Sequence, residues 1–400
     1  MNLKKLFKTL FITTLILFSI SITAQELLIE WAHPLKKKST EVNKRELAGV
    51  VALEEGILVA TSTGDLHLFS DSGTLKKSIS FDGEFFLTPV VLDDKNILLS
   101  VSNSVFMLSP SLEYVWSVSG KTPVASTPYV TSEHVIVQFH DDSIHLFERK
   151  AGAFKTSFTD DINSKKLKRW LQSPYKAEDE RGYEIEVDNS YVKLAAPLLR
   201  ISDKEEYVFG FSDGSIKSFS IKKENNREEI VHNSTIETAK KRTQYYKKYF
   251  YDILSTILIK DSMVFSNGEG GGSISKGALT RFTAMKNLNL VVEKPGEIVG
   301  FGEGGVFLFD ENGKVVSKPL NSPNFVSNLI PVKNYYFVST VGAGSIIDYR
   351  EGFIYLLSEK YDKIHSIMIP NGVSAKAAVK EDAVYIISDK GVVYKLKVSK

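Results

Sequence analysis

The sequence holds 400 residues, 43% hydrophobic and 24% charged, a globular balance that excludes a disordered, collagen-like or multi-spanning membrane chain. It contains no cysteine, which removes disulfides, thiolate zinc sites, iron–sulfur clusters, cysteine nucleophiles and lipid-modified cysteines together. The formal charge of +2 includes Lys4, Lys5 and Lys8; without these three the 50 basic side chains fall to 47 against 48 acidic ones, so no global field attracts nucleic acid.

Those three lysines open a secretory signal over residues 1–24. They form a positive n-region, the run from Leu10 to Ile22 is apolar or hydroxylic, and Thr23-Ala24 offers small residues before Gln25. An uncleaved anchor is the alternative, but the apolar run is shorter than the roughly 20 residues that span a bilayer. No later stretch approaches that length, so the exported chain is expected to be soluble or peripheral, in the periplasm.

Residues 25–400 read as one domain built from a repeated module. An apolar strand, a short turn, a second apolar strand, a tight turn usually containing Gly, and an alternating third strand follow one another. The first copy runs Ala48-Gly-Val-Val-Ala-Leu53, Ile57-Leu-Val-Ala-Thr61, Thr63-Gly-Asp-Leu-His-Leu-Phe69. The second has Thr88-Pro-Val-Val-Leu92, Asn96-Ile-Leu-Leu-Ser-Val101 and Asn103-Ser-Val-Phe-Met-Leu108; the third has Thr127-Pro-Tyr-Val130, His134-Val-Ile-Val-Gln-Phe139 and Asp142-Ser-Ile-His-Leu-Phe147. Later copies are marked by Ser212-Asp-Gly-Ser-Ile-Lys-Ser-Phe219, Lys276-Gly-Ala-Leu-Thr-Arg-Phe282, Glu303-Gly-Gly-Val-Phe-Leu-Phe309, Arg350-Glu-Gly-Phe-Ile-Tyr-Leu356 and Asp389-Lys-Gly-Val-Val-Tyr-Lys-Leu396. Eight copies result. Matching turns lie 39 residues apart between Gly64 and Asn103, and again between Gly352 and Gly391, close to the period of a four-stranded propeller blade.

Two intervals exceed that period and predict insertions near 159–191 and 232–252. The interval from Gly277 to Gly305 is only 28 residues and predicts a short, irregular sixth blade. The last copy supplies three strands, Ala375–Val379, Ala383–Ser388 and Val392–Val398, and no fourth. Leu27-Leu-Ile-Glu-Trp31 ends in Trp like Glu113-Tyr-Val-Trp116, so it is expected to complete the final blade. The predicted fold is therefore an all-β, eight-bladed propeller of four-stranded antiparallel blades, its ring closed by the N-terminal strand.

The Thr-Pro-Val-Val openings, the Asp-Gly-x-Ile/Leu-x-x-Phe/Leu third strands and the Trp-ending fourth strands resemble pyrroloquinoline-quinone-type propeller repeats. Copy by copy, through Arg350-Glu-Gly-Phe-Ile-Tyr-Leu-Leu357, the mature chain is similar to the BamB family, eight-bladed scaffolds of the outer-membrane β-barrel assembly machinery. The resemblance implies a role in that assembly. It also marks two departures. Family members are typically lipoproteins, and Thr23-Ala24-Gln25 stands where the lipid-bearing cysteine would be, which excludes acyl anchoring. In the family a Leu-x-Leu-Arg loop before the fourth blade and an Asp-x-Asp loop before the fifth contact the barrel-forming partner. Here Asn189-Ser-Tyr-Val192 lacks the leucines and the arginine, and Asp252-Ile253-Leu254 keeps one acid, Asp252.

No catalytic, cofactor-binding or metal set emerges. His67 and His145 share one slot in Leu-His-Leu-Phe and Ile-His-Leu-Phe, which a repeat-determined strand position explains. His33, His134, His232 and His365 lack chelating neighbours at i+2 or i+4, and His140-Asp141-Asp142 reads as a turn. Asn267-Gly-Glu-Gly-Gly-Gly-Ser273 has no following Lys-Ser/Thr and no helix start, so it reads as a flexible loop between strands and not as a phosphate cradle. Quinone dehydrogenases resemble the chain in repeat type, but their adjacent cysteines and calcium-liganding acid and amide have no counterparts here.

The second insertion interleaves Lys240, Lys241, Arg242, Lys247 and Lys248 with Tyr245 and Tyr246 and continues into Tyr249, Phe250 and Tyr251. A solvated segment would explain the charges; the aromatic cluster favours packing or partner contact, with anionic lipid or an envelope polymer also suited. The reading is a non-catalytic periplasmic interaction scaffold, in outer-membrane β-barrel assembly or another envelope complex, a monomer within that complex. Asp252, Tyr245, Tyr246, Lys247 and Lys248 are the partner-binding candidates. No cofactor, nucleic acid or membrane contact beyond a peripheral one is expected. A ligand- or polymer-binding propeller is the alternative, and a quinone-dependent oxidoreductase the third reading.

Overall fold

A computed structural model describes residues 25–36, 45–159, 175–178, 184–187, 199–201, 206–211, 214–225, 227–238, 253–268, 270–275, 277–294, 297–342 and 351–399. These form eight four-stranded antiparallel sheets and one separate hairpin, Tyr175–Glu178 with Glu184–Val187, inside the first insertion. The sheets are the blades of an eight-bladed propeller. No helix long and apolar enough to cross a membrane occurs among the described residues.

In each of the first seven blades the strands form a meander in chain order from the axis outward; the first contains Gly49–Leu53, Gly56–Ala60, Asp65–Phe69 and Leu75–Ser80. Burial follows from this stacking. The second strands Gly56–Ala60, Ile97–Val101 and Ala383–Ile387 are buried at every position because a neighbouring blade covers each face. Third strands bury alternate positions, and outer strands such as Leu75–Ser80 are largely exposed.

The hydrophobic core is correspondingly divided into eight wedges, one per seam. Leu58, Leu66 and Phe85 fill the wedge between blades one and two, and Val332, Phe337, Ile354 and Ile386 the one between seven and eight. Val50, Ile57 and Phe69 of the first blade meet Tyr385, Ile387 and Val393 of the last. At about 25 cal/mol per Å² of apolar surface, each seam is worth several buried side chains of about 1.5–3 kcal/mol, so the ring is held by seam contacts in series.

The N-terminal strand closes the ring as expected. Leu27–Pro34 pairs antiparallel with Val392–Val398, Leu27 opposite Val398 and Trp31 opposite Lys395. The eighth sheet thus takes its outer strand from one end of the chain and its inner three from the other. The seam to blade one is fastened by charge. Lys380 Nζ lies 2.9 Å from both Asp71 carboxylate oxygens, and Lys395 Nζ donates to the Asp71 carbonyl oxygen at 3.1 Å.

Four expectations are corrected. Asn267–Ser273 is not a loop between strands: only its start turns, and Gly270–Ser275 is the third strand of blade five, paired on both sides. Glycine is required there by close approach. A Cβ on Gly272 would lie 2.5 Å from the Thr280 carbonyl oxygen, and one on Gly271 would lie 2.7 Å from Met285 Cβ. Gly277 therefore sits in the turn after the third strand and not before it, which made the next interval look short. Blade six is in fact complete, with strands Leu288–Lys294, Glu297–Gly302, Gly305–Phe309 and Val315–Asn321. The segment from His232 to Glu237 belongs to no insertion but to the outer strand Arg227–Glu237, where Glu237 pairs with Ser215. The inner strand of blade eight begins at Ala378 and not at Ala375.

Candidate interaction rim

One end of the propeller carries the turns between second and third strands and also the connections from each outer strand to the next blade. Gly64, Gly214, Gly304 and Gly391 adopt positive φ in these turns, which explains the repeated glycines. Asp142, with φ 61°, takes the same conformation in the third blade, and the His140-Asp141-Asp142 segment is a turn closed by the Asp142 amide donating to the Phe139 carbonyl oxygen.

Both insertions are rooted on this rim, one on each side of blade four. Phe158, the last residue before the first insertion, pairs with Ile144, the start of a third strand. After it, Leu199 enters the inner strand opposite Val208. For the second, Glu237 pairs with Ser215 and Ile253 with Asn267, both at the rim ends of their strands. Asp252, Tyr245, Tyr246, Lys247 and Lys248 fall between those anchors and lie outside the described residues, as do residues 189–192 and 1–24.

The base beneath is stitched across its seams by polar side chains. Thr88 Oγ1 donates to the Ala48 carbonyl oxygen between blades one and two at 2.5 Å, and Gln138 Nε2 to that of Gly210 between three and four at 2.8 Å. Ser266 Oγ donates to the Leu288 carbonyl oxygen between five and six. Asn328 joins seven to eight in both senses: Nδ2 donates to the Ala375 carbonyl oxygen at 2.9 Å, and Oδ1 accepts from the Ala377 amide at 3.0 Å. Across the closing seam the Val50 amide of blade one donates to the Lys376 carbonyl oxygen at 3.0 Å. Buried polar groups paired in this way fix register between blades and resist shear.

The closing seam also holds two buried acids that sequence reasoning missed. Glu46, fully buried, accepts the Ser62 amide at 2.6 Å. Asp389 accepts the Ser374 amide at 3.2 Å and its hydroxyl at 2.7 Å. Burial pushes the Asp389 carboxyl up to about 6, against the Ser374 hydrogen bond and Arg45, with Glu46 adding to the rise. Asp389 was visible only as a turn residue, because nothing in the sequence brings Arg45 and Glu46 to it.

The histidines divide as their repeat positions suggest. His67 and His145 occupy one slot, opposite Val59 and Val137, and burial lowers both imidazoles below their ordinary range. The Nδ1 of His67 hydrogen-bonds the Ser78 hydroxyl at 2.8 Å, whereas His145 packs among Phe139, Phe147 and Phe154. His134 differs: the fold brings Glu228 to it from 94 residues away, a distance no spacing rule can bridge.

No family model matches the chain, and no curated protein matches its sequence. Solved structures do match in fold. BamB from Moraxella catarrhalis superposes with a TM-score of 0.64 at 13% identity, over 93% of this chain and 99% of that one. The computationally designed Ika8 protein gives 0.61 at 12% identity, over 90% and 98%. The C-terminal WD40 domain of Sif2 gives 0.58 at 10% identity, over 93% and 100%. At such identities the likeness is one of architecture, and the chain folds as a BamB-like eight-bladed propeller.

Proposed function

We propose that this chain is a non-catalytic interaction scaffold, exported to the periplasm by residues 1–24 and serving outer-membrane β-barrel assembly. The observation that carries the reading is the rooting of both insertions on one rim, flanking blade four, above a base hydrogen-bonded from blade to blade. A ring of this kind holds its rim rigid, so segments displayed there engage a partner without the base having to reorganise. Lys247, Lys248, Tyr245 and Tyr246 supply the cationic and aromatic chemistry that interfaces favour, and Asp252 stands at the anchor of that segment. The repeat type, similar to pyrroloquinoline-quinone-type propellers, and the BamB-like architecture support the same assignment.

The test is capture from envelope extracts with the tagged chain lacking residues 1–24, beside a variant in which 240–250 is replaced by a Gly/Ser linker. A barrel-assembly protein should co-purify with the first and fall at least tenfold with the second, both melting at the same temperature. Recovery of no assembly protein, with retention on immobilised envelope glycan, would instead establish the polymer-binding reading. Capture unchanged by Asp252→Ala would remove that residue from the contact.

A further inference from the structure

At the opposite end of the propeller, across the seam between blades three and four, three ligand-type side chains converge. Glu133 and His134 lie where the turn after the inner strand Tyr129–Val130 enters the second strand of blade three. Glu228 stands near the start of the outer strand of blade four. One donor atom from each lies within 4.8 Å of the other two. The turn is built to hold its pair: Thr131 Oγ1 accepts the Glu133 amide at 3.2 Å and the His134 amide at 2.9 Å, and the Arg149 amide donates to the Glu133 carbonyl oxygen at 2.8 Å.

The His134–Glu228 pair is mostly sheltered, with side-chain exposures of 11% and 9%. His134 Nε2 sits 3.1 Å from Glu228 Oε1. An ion pair or neutral hydrogen bond would account for that contact alone. It does not account for the other oxygen. Glu228 Oε2 is buried and has no hydrogen-bond partner among the described residues, a condition that is costly for any polar group and more so for a charged one. Among the described residues the ammonium that reaches this carboxylate, Lys223 Nζ, lies 3.9 Å from Oε1, and its side chain is 62% exposed, free to swing into solvent.

From this geometry we infer that Glu133, His134 and Glu228 form a binding site for a divalent transition-metal ion of the zinc type, clamping blade three to blade four. The donor set fits that ion in charge and kind. Two carboxylates balance the dication, and a neutral imidazole nitrogen selects zinc-like metals over calcium or magnesium, which prefer all-oxygen shells. Bonds of about 2.0–2.1 Å in a tetrahedron separate ligand atoms by roughly 3.3 Å, so the His134–Glu228 spacing is already near the required one. Glu133 is exposed, and its carboxylate, within 4.8 Å of the other two donors, needs a side-chain shift of at most about 1.5 Å to reach that spacing. The fourth position would be left to water. The unsatisfied Glu228 oxygen supplies a second donor on the same carboxylate and gives the ion a reason to occupy this seam.

The experiment is equilibrium dialysis of chelator-treated protein against zinc chloride, with calorimetric titration and thermal melts of the same samples. One zinc per chain and a rise in melting temperature are expected, with no comparable effect from calcium or magnesium chloride. His134→Ala and Glu228→Gln should each weaken binding at least tenfold, and Glu133→Gln by less. If Glu228→Gln fails to fold, His134→Gln removes the imidazole while keeping a hydrogen-bonding side chain at that seam. X-ray absorption of the zinc-loaded chain should show one imidazole nitrogen among oxygen neighbours. Substoichiometric zinc, or undiminished affinity in both His134→Ala and His134→Gln, overturns the assignment.

Discussion

The indole of Trp31 lies flat against Gly73, close enough that a Cβ on the glycine would sit 2.8 Å from the ring, and its Nε1 donates to the Asp71 carbonyl oxygen at 3.1 Å. The outer strand of the last blade thus docks under the turn that joins the third and fourth strands of the first. Trp116 repeats the arrangement between blades two and three, against Gly152 and with Nε1 donating to the Arg149 carbonyl oxygen at 2.9 Å. Both tryptophans stand opposite the fourth residue of a third strand, Lys395 and Met107. Phe282 presses on Gly313 between blades five and six in a related contact.

Gly73→Ala should therefore destabilise by about 2–4 kcal/mol, because the residue has φ 84° and no room for a methyl group beside the indole. Trp31→Ala should cost about 3 kcal/mol by emptying part of the closing seam. Urea unfolding followed by circular dichroism measures both. The double variant should cost less than the sum, since removing the ring relieves the clash.

Deleting 25–34 should open the ring. Blade eight would then expose the edge of Val392–Val398, and Tyr385 and Phe69 would lose the indole that covers them. A lower, broader melting transition and concentration-dependent aggregation by light scattering are expected; a sharp transition at the original temperature would refute the closing role of this strand.

Gly272→Val should disrupt blade five even though valine favours strands elsewhere. Its Cβ would meet the Thr280 carbonyl oxygen at 2.5 Å and the Phe265 ring at 2.9 Å. A loss of about 3 kcal/mol or more, or failure to accumulate as soluble protein, is the expected result.

Asp389 gives a pH signature of definite sign. Its carboxyl titrates near 6 in the fold, above the ordinary value of 3.8, so the folded state holds this proton more tightly than the unfolded one. The corresponding stabilisation is present below about 4 and is lost as pH rises through 6, an amplitude of about 3 kcal/mol. Asp389→Asn keeps a carbonyl oxygen for the Ser374 amide and removes the charge. Its melting temperature relative to the unaltered chain should climb between pH 4 and 7 and level off above; a constant difference would show that Asp389 does not carry the effect.

Much of the fold was legible because a blade's second strand needs unbroken apolar residues and its rim turn needs positive φ; Ile57–Ala60 with Gly64, and Ala383–Ile387 with Gly391, meet both demands. Where the reading slipped, local chemistry imitated another state. Gly270-Gly-Gly lacks strand-forming side chains, yet the neighbouring strands and Phe265 leave space for nothing larger. With the rim turn of blade five placed at Asn267–Gly270, the interval to Gly302–Gly305 is 35 residues and the sixth blade regains its period. Outer strands carried little signal because solvent accepts almost any residue there, as in Arg227–Glu237. The seam acids and the Glu133–His134–Glu228 group were illegible for another reason. Their members come from different blades, and which side chains meet across a seam is decided by three-dimensional stacking.

The Glu26 amide reaches the Ser399 hydroxyl, 373 positions along the chain, at 2.8 Å. The earliest strand of the ring consequently has no neighbour to pair with until the final one emerges. Topology this non-local slows folding, and until the last hairpin arrives the chain must remain a row with two bare ends, vulnerable to misassociation. A chain of this design completes its circle last of all, when head and tail are both free to meet.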